Sequence, residues 1–300
     1  MAEQHSQRNE VASGPANNHA GAPGWLGRLA LRLVKANGRT RVRWLAGQGP
    51  LYIQKPFYPE GEVCHLYLLH PPGGVVGGDR LEISLDLKAD AKAVVTTPAA
   101  TKIYRSAGPR AELIQEFQLA EGASLEWLPQ ETILSGGCRV NARTCVYLAP
   151  GARYIGWELT CLGRAASGDL FAEGEVNQRV SLYRCTGAEV AEPLLLECNR
   201  WRAGDHLLSA RWGLAGRMVC GTLYATPADI EILEMVRRVL PAATETGELL
   251  HAMTLVNGVL VARVLAADSE SARAWMQSVW ERIRPLLVGR KACRPRIWDT

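Results

Sequence analysis

The sequence lacks long hydrophobic stretches and long runs of one charge. Its apolar runs, such as residues 194–196 and 253–256, are far shorter than the ~20 residues that a membrane-spanning helix needs. Lys and Arg number 34 against 30 Asp and Glu, which gives a net charge of +4 without any long basic tract. We therefore expect neither a membrane segment nor a nucleic-acid partner.

Local metal-binding patterns are missing as well. None of the eight cysteines forms a C-x-x-C pair, and none of the six histidines forms H-x-x-x-H or H-E-x-x-H. Cys64 and His65 are neighbours, and alternation along a strand places them on opposite faces. These spacings argue against a structural zinc site or any preformed tetrahedral site.

Residues 1–23 are polar and rich in Ala, Gly, Asn and His, without the apolar segment of a signal peptide. Such a composition buries too little surface to order itself, so we predict a disordered tail over residues 1–23. Without an export signal we expect a cytoplasmic protein whose cysteines are free thiols.

Nucleotide-binding signatures are missing from the most glycine-rich segment, HPPGGVVGGD at residues 70–79. A phosphate loop requires Lys and Ser or Thr after its last glycine, but Asp79 and Arg80 follow here. The glycines indicate backbone with positive φ or close approach to another group. The segment is therefore a shaped turn, and the sequence leaves open whether its carboxylate also meets a cation or a partner lysine.

Residues 24–225 read mainly as strands. The segment LEISLDL at residues 81–87 alternates apolar and polar side chains, and similar short runs recur between Gly, Pro and Asp. The pattern L-x-x-[DG]-A begins at Leu87, Leu119 and Leu148, at spacings of 32 and 29 residues. The repeat favours a mainly β fold that is either a stacked-strand, β-helix-like architecture or an elongated sandwich.

Residues 226–300 change to a helix–hairpin–helix pattern. Thr226 to Asp229 predict the start of a helix that Pro241 ends, and Asn257-Gly258 is a strong hairpin signal. A second helix is predicted over residues 271–288. We expect this region to pack on the β-region as an α+β layer, and the basic end with Trp298 to form a flexible arm.

A second polar segment, TTPAATKIYRS at residues 96–106, is rich in hydrogen-bond donors. We expect residues 81–87 and 93–97 to form a hairpin that brings it beside the glycine-rich turn. No S-x-x-K or triad spacing supports a nucleophile here. A hydrogen-bonded edge with surface cations is favoured over catalysis.

Four stretches together resemble the urease accessory protein D family. They are HPPGGVVGGD (70–79), TTPAATKIYRS (96–106), EWLPQETI (126–133) and PRIWDT (295–300), in the order of that family. The linking segments LEISLDL and WELTCLGR (157–164) are similar to it too. One departure is local: residues 134–137 read LSGG where the family has an aromatic residue and an acid before its glycine.

The resemblance implies a non-enzymatic scaffold or chaperone with a largely β fold. It implies that the chain joins apo-urease to an F-type urease accessory protein, which recruits the G-type nickel-binding GTPase. No tightly bound cofactor is implied, and Ni²⁺ would pass transiently. GTP hydrolysis would then belong to the partner, in agreement with the missing phosphate loop.

The resemblance also assigns candidate site residues. Three carboxylates would line a nickel path, namely Asp79, Glu158 and Glu197. The motif positions expected to serve a partner surface are His70, Gly73, Gly74, Gly77, Gly78, Thr97, Lys102, Tyr104 and Arg105. For each carboxylate, a salt bridge or a surface position is the competing interpretation.

Two other functions are weighed against the scaffold. A β-fold hydrolase would use a carboxylate pair such as Asp79 and Glu158, although their spacing does not demand it. A nickel storage protein would have His-rich or Cys-rich tracts, which the sequence lacks. The sequence thus favours the scaffold.

Overall fold

Strands make up most of the chain and form stacked coils like those of a β-solenoid. The computed structural model describes residues 24–164, 167–186, 191–239 and 249–299, so the predicted tail at 1–23 lies outside the described residues. No helix within these ranges is both long and apolar enough to cross a bilayer.

The first sheet has seven strands, and its central five run parallel. In spatial order they are β14 (Ala191–Arg202), β13 (Gly174–Cys185), β11 (Cys138–Leu148), β8 (Ala111–Leu119), β5 (Arg80–Leu87), β1 (Leu26–Ala36) and β2 (Arg39–Gln48).

The second sheet packs opposite the first and contains a parallel run of four strands, β4, β6, β9 and β12. Its spatial order is β16 (Leu249–Val256), β17 (Val259–Ala266), β15 (Val219–Thr226), β12 (Arg153–Leu162), β9 (Ser124–Trp127), β6 (Lys92–Thr96), β4 (Cys64–Leu69) and β3 (Tyr52–Ile53). Two short parallel strands, β7 (Thr101–Ile103) and β10 (Thr132–Leu134), form a third side.

The chain therefore winds through one strand of each side and then begins the next coil. The sequence repeat forms the corner between the two sheets: Leu87, Leu119 and Leu148 pair in register at the ends of β5, β8 and β11. The backbone N–H of Ala120 donates to the Leu87 carbonyl, and that of Ala149 to the Leu119 carbonyl, each at 2.9 Å. These contacts confirm the stacked-strand, β-helix-like architecture and exclude the alternative of an elongated sandwich.

One predicted pairing is wrong. Residues 81–87 and 93–97 do not form a hairpin, because β5 pairs with β1 and β8 in the first sheet while β6 pairs with β4 and β9 in the second. Alternation identified the buried face of β5 correctly, but a parallel partner lies one whole coil away along the chain.

Antiparallel strands close the parallel run of each sheet at both ends. In the first sheet β2 pairs antiparallel with β1, and β14 pairs antiparallel with β13. In the second sheet β3 flanks β4, and β15, β17 and β16 follow β12, all antiparallel.

The C-terminal region adds the hairpin β16–β17 to the second sheet, together with the helices α2 (Ile230–Val239) and α3 (Ser269–Val288). A short helix, α1 (His206–Ser209), lies earlier in the chain. Asn257 and Gly258 take positive φ values of 47° and 79° at the predicted hairpin turn. Helix α2 begins after Asp229, within the predicted start, and the Asp229 carboxylate accepts from the Ile232 N–H at 2.8 Å. Its predicted end at Pro241 lies outside the described residues. Helix α3 lies against β12, β15 and β17.

A buried ionic cluster fixes α3 to the coils. The fully buried Arg284 on α3 donates from Nε to both carboxylate oxygens of Glu126 on β9, at 3.0 and 2.9 Å. Its two terminal nitrogens each lie 2.7 Å from an oxygen of Glu60. Trp280 Nε1 also donates to Glu126 at 2.7 Å. Burial alone would raise the pKa of Glu60, but hydrogen bonds from His65 and Arg284 lower it to about 2.

Residues 289–299, here called the C-terminal strap, are packed on this cluster and do not form the flexible arm that the sequence suggests. Arg284 donates to the backbone carbonyl of Lys291. The Trp298 ring lies 5.6 Å from those of Trp157 and Trp280, and its Nε1 donates to Thr96 at 2.9 Å. Through Trp298 the strap thus packs against the core that α3 covers.

Replacement of Arg284 by Met is expected to lower the free energy of unfolding by about 3–5 kcal/mol, because Glu126 and Glu60 then remain buried without their cation. Arg282→Met is the matched control on the same helix, since Arg282 donates, among the described residues, only to the Ser278 carbonyl. This variant should cost about 1 kcal/mol or less. Urea unfolding followed by circular dichroism measures both, and equal losses would contradict the assigned role.

Candidate functional site

The two polar motifs of the sequence lie side by side. The Val75 N–H donates to the Lys102 carbonyl and the Tyr104 N–H donates to the Val75 carbonyl, both at 2.8 Å. Val75 forms a parallel bridge with Ile103, so the turn at 70–79 continues the third side of the coils. The motifs meet through coil stacking rather than through a hairpin.

Two glycines of the turn permit this contact. A Cβ atom on Gly74 would lie 2.1 Å from Cε2 of Tyr104, and one on Gly77 would lie 2.0 Å from Oγ of Ser106. A side chain at position 74 would displace the Tyr104 ring, and one at position 77 would displace Ser106 and the Pro109 carbonyl. The glycines therefore serve close approach of the two motifs.

Asp79 organises this turn. Its Oδ1 accepts from the Trp25 N–H at 2.9 Å and its Oδ2 accepts from the Val76 N–H at 3.0 Å. The adjacent Gly78 has a φ of 95° and its N–H donates to the Arg110 carbonyl. These bonds engage both carboxylate oxygens and tie the turn to the segment that enters β1.

The outer part of the motif presents charged and aromatic groups to solvent. Arg105 forms an ion pair with Glu173 at 2.7 Å, with both side chains about two-thirds exposed. Tyr104 is 38% exposed. Lys102 is half-buried and has no ion-pair partner among the described residues. This edge is accessible to another protein.

Three cavities occupy the space between the sheets, and Glu158 on β12 lines all of them. Their volumes are 410, 400 and 30 Å³. The second cavity reaches the motif at His70, Gly73 and Thr97, while the first reaches Glu197. The smallest shares Gln178 with the first and Gln115 with the second, and therefore lies between them.

His70 and Thr97 occupy the motif end of the second cavity. Burial lowers the pKa of His70, and the nearby Asp79 carboxylate partly raises it. The Thr97 Oγ1 accepts from the Gln130 N–H at 2.9 Å. His70 is therefore a neutral imidazole near pH 7, able to accept a proton or a cation.

Glu158 is a carboxyl without a counter-charge. Burial raises its pKa to about 7, while a hydrogen bond from Thr144 lowers it. The Thr144 hydroxyl lies 2.9 Å from Oε1 of Glu158 and also 2.9 Å from Oε1 of Gln115, and its single proton serves one of them. No described Lys, Arg or His forms an ion pair with Glu158. The group can therefore exchange a proton, or bind a cation, near neutral pH.

Glu197 on β14 lies on the first cavity with a different environment. Its Oε2 lies 2.6 Å from a terminal nitrogen of Arg263, and its Oε1 accepts from Asn199 at 3.2 Å. The wall of the same cavity includes Trp212, whose side chain is 74% exposed, unlike the buried Trp127, Trp157 and Trp201. Glu197 is thus held by a cation, and Glu158 is not.

Two further carboxylates have roles that the sequence did not reveal. Glu126 lies in the EWLPQETI stretch and forms an ion pair with Arg284. The two residues are 158 positions apart in the sequence, so no local pattern predicts their contact. Asp169 accepts from the Gly136 N–H with both oxygens at 2.9 Å. Asp169 thus places an acid beside residues 134–137, where the LSGG sequence departs from the family pattern.

The hydrolase alternative needs Asp79 and Glu158 to act together. Asp79 does not line any of the three cavities that Glu158 lines, and its two oxygens are bonded to backbone amides. The geometry does not bring this pair into one cleft.

The fold and the site define a coiled β-protein in which three cavities meet at Glu158, a carboxyl with no ion-pair partner in the part of the chain that the structure describes. The UreD urease accessory protein family matches residues 26–299. The chain belongs to this family.

Several curated relatives are similar to this chain over most of their length. A protein of Alkalilimnicola ehrlichii named urease accessory protein UreD is 43% identical over 93% of each chain. Proteins of the same name from Pseudomonas entomophila and Dechloromonas aromatica are 41% and 40% identical, over 93% and 95% of this chain and 95% and 98% of theirs.

The pKa of Glu158 makes stability depend on pH. In the folded chain the pKa of Glu158 is about 7, above its ordinary value. The protonated carboxyl therefore contributes fully to the free energy of unfolding below the pKa of the unfolded chain, and this contribution is lost as pH rises through 7. Between pH 5 and 8 the free energy of unfolding should fall about 2–3 kcal/mol more in the wild type than in Glu158→Gln. Urea unfolding at both pH values tests this, and parallel curves would contradict the raised pKa.

Proposed function

We infer that this chain is an accessory protein of urease maturation that joins apo-urease to other accessory proteins and assists nickel delivery into the urease active site. In this proposal an F-type accessory protein binds the chain and brings the G-type nickel-binding GTPase. The chain acts in the cytoplasm as a non-catalytic scaffold.

One observation carries the nickel part of the proposal: Glu158 lines three cavities that extend from the motif at His70 to Glu197. A cation that moves through protein needs ligands that bind weakly, because a strongly coordinated ion does not leave. An unpaired carboxyl with a pKa near 7 meets this requirement, whereas Asp79 is engaged by two backbone amides. We therefore place Glu158 at the centre of the path, Glu197 at one end, and Asp79 in support of the turn.

The scaffold part is supported by the family and by the motif edge. The relatives bear the name of accessory proteins, and the exposed Tyr104 and Arg105 lie with the half-buried Lys102 on the edge formed by two family motifs. A partner that carries carboxylates would satisfy Lys102 and compete for Arg105. We propose this edge as a protein-binding surface of the chain.

Reconstituted urease activation tests the function. Apo-urease, nickel, bicarbonate, GTP and the other accessory proteins are combined with or without this chain, and nickel per active site is counted together with urease activity. The proposal predicts that both collapse without the chain, while the purified chain alone hydrolyses no GTP. Normal nickel content without the chain would refute it.

Glu158→Gln tests the path separately from partner binding. The variant keeps the volume of the side chain and removes its charge, so nickel per active site should fall several-fold while co-purification with urease is retained. Glu121→Gln is the matched control, since Glu121 is exposed at the turn between β8 and β9. Equal nickel content in both variants would show that nickel does not use these cavities.

A further inference from the structure

A second cluster of metal-ligating groups lies outside the three cavities. The carboxylate of Glu60, the imidazole of His65 on β4 and the thiol of Cys293 in the C-terminal strap have ligand atoms within 4.8 Å of one another. Oxygen, nitrogen and sulfur donors thus converge from residues that are 5 and 228 positions apart. No sequence motif predicts this, and the mechanism proposed above does not use it.

The carboxylate of this cluster is held in place by other residues. Glu60 Oε1 lies 2.7 Å from His65 Nε2, and Arg284 contacts both Glu60 oxygens at 2.7 Å. Arg284 is itself fixed by Glu126. Carboxylates that bind metals are commonly oriented by such outer hydrogen bonds. Glu60 Oε1 accepts from both His65 and Arg284, whereas Oε2 accepts from Arg284 and keeps a lone pair for a further partner.

The charges of the cluster point to a cation. Two carboxylates, Glu60 and Glu126, surround the single guanidinium of Arg284, which leaves one negative charge in excess among these three groups. A divalent cation on the Cys293 thiolate, a ring nitrogen of His65 and Glu60 would bring the total to three negative and three positive charges. Burial raises the pKa of the Cys293 thiol, and metal binding would release its proton, as binding to thiolate ligands generally does.

Other cations nearby are engaged elsewhere. Lys92 lies 2.8 Å from Glu62, and Arg290 contacts the same carboxylate. This group is between about a quarter and a third exposed, so solvent screens it more than the buried cluster. Cys293 is half-buried and gives access to the site from the strap, whereas His65 is only 1% exposed.

We propose that Glu60, His65 and Cys293 bind one divalent zinc ion, with water as the fourth ligand. One sulfur, one nitrogen and one oxygen donor suit tetrahedral Zn²⁺ better than cations that require six oxygen ligands. The ion pins the C-terminal strap to β4 beside the Arg284 cluster. This inference concerns the isolated chain and does not depend on the proposed role in urease maturation.

Zinc binding to the purified full chain tests the proposal by competition with a chromophoric chelator. One equivalent should bind the wild type, and Cys293→Ser should lower the affinity at least about tenfold. Cys198→Ser is the matched control because Cys198 is exposed on β14, away from the cluster. The histidines at positions 5 and 19 are present in every variant and contribute an equal background.

A second variant and three further measurements separate loss of a ligand from misfolding. His65→Gln keeps a donor for Glu60 and removes the imidazole, and circular dichroism reports whether each variant is folded. Co²⁺ in place of Zn²⁺ should give a thiolate-to-cobalt charge-transfer band in the wild type and in Cys198→Ser only. Zinc should also slow alkylation of Cys293 but not of Cys198.

The proposal is overturned if the wild type binds no stoichiometric zinc, or binds it as tightly as folded Cys293→Ser and His65→Gln do. It is overturned too if the cobalt band is missing or zinc leaves alkylation of Cys293 unchanged. A failure of urease activation has no bearing on these outcomes.

Discussion

The contact of Arg284 with two carboxylates is the interaction on which the arrangement of the molecule depends. A fully buried guanidinium is tolerated only where anions and hydrogen bonds replace its water, and here Glu126 on a coil and Glu60 before β4 do so. The same side chain bonds the strap through Lys291. One charge thus fixes the mutual position of α3, the coils and the chain end, which no purely apolar contact would orient so specifically.

Sequence reasoning predicted the coils and the C-terminal elements because these depend on local patterns. The repeat at Leu87, Leu119 and Leu148 is visible because each coil needs the same buried corner, and Asn257-Gly258 is visible because few residues adopt its backbone angles. The hairpin over residues 81–97 failed for the opposite reason. Alternation defines which face is buried, but it contains no information about which strand, one coil away, will be the partner.

The site was accessible to sequence reasoning only in part. Family motifs identified the turn and its neighbour, and the close approach of Gly74 to Tyr104 explains why glycine is needed there. Asp79 is bonded to backbone amides, whereas Glu158 lines the cavities with no ion-pair partner among the described residues. This difference depends on contacts that arise only in the fold. The convergence of Glu60, His65 and Cys293 is likewise a product of the strap returning to β4.

The antiparallel strands at both ends of the coils have a consequence for self-association. A run of parallel strands exposes a template on which the first coil of another copy could add in register, and repetition would build a filament. Here β2 and β14 reverse direction at the two ends of the first sheet, and β3 and β16 do so in the second. A neighbouring copy therefore meets an antiparallel strand at either end, so the parallel coils do not continue in register from one molecule into the next.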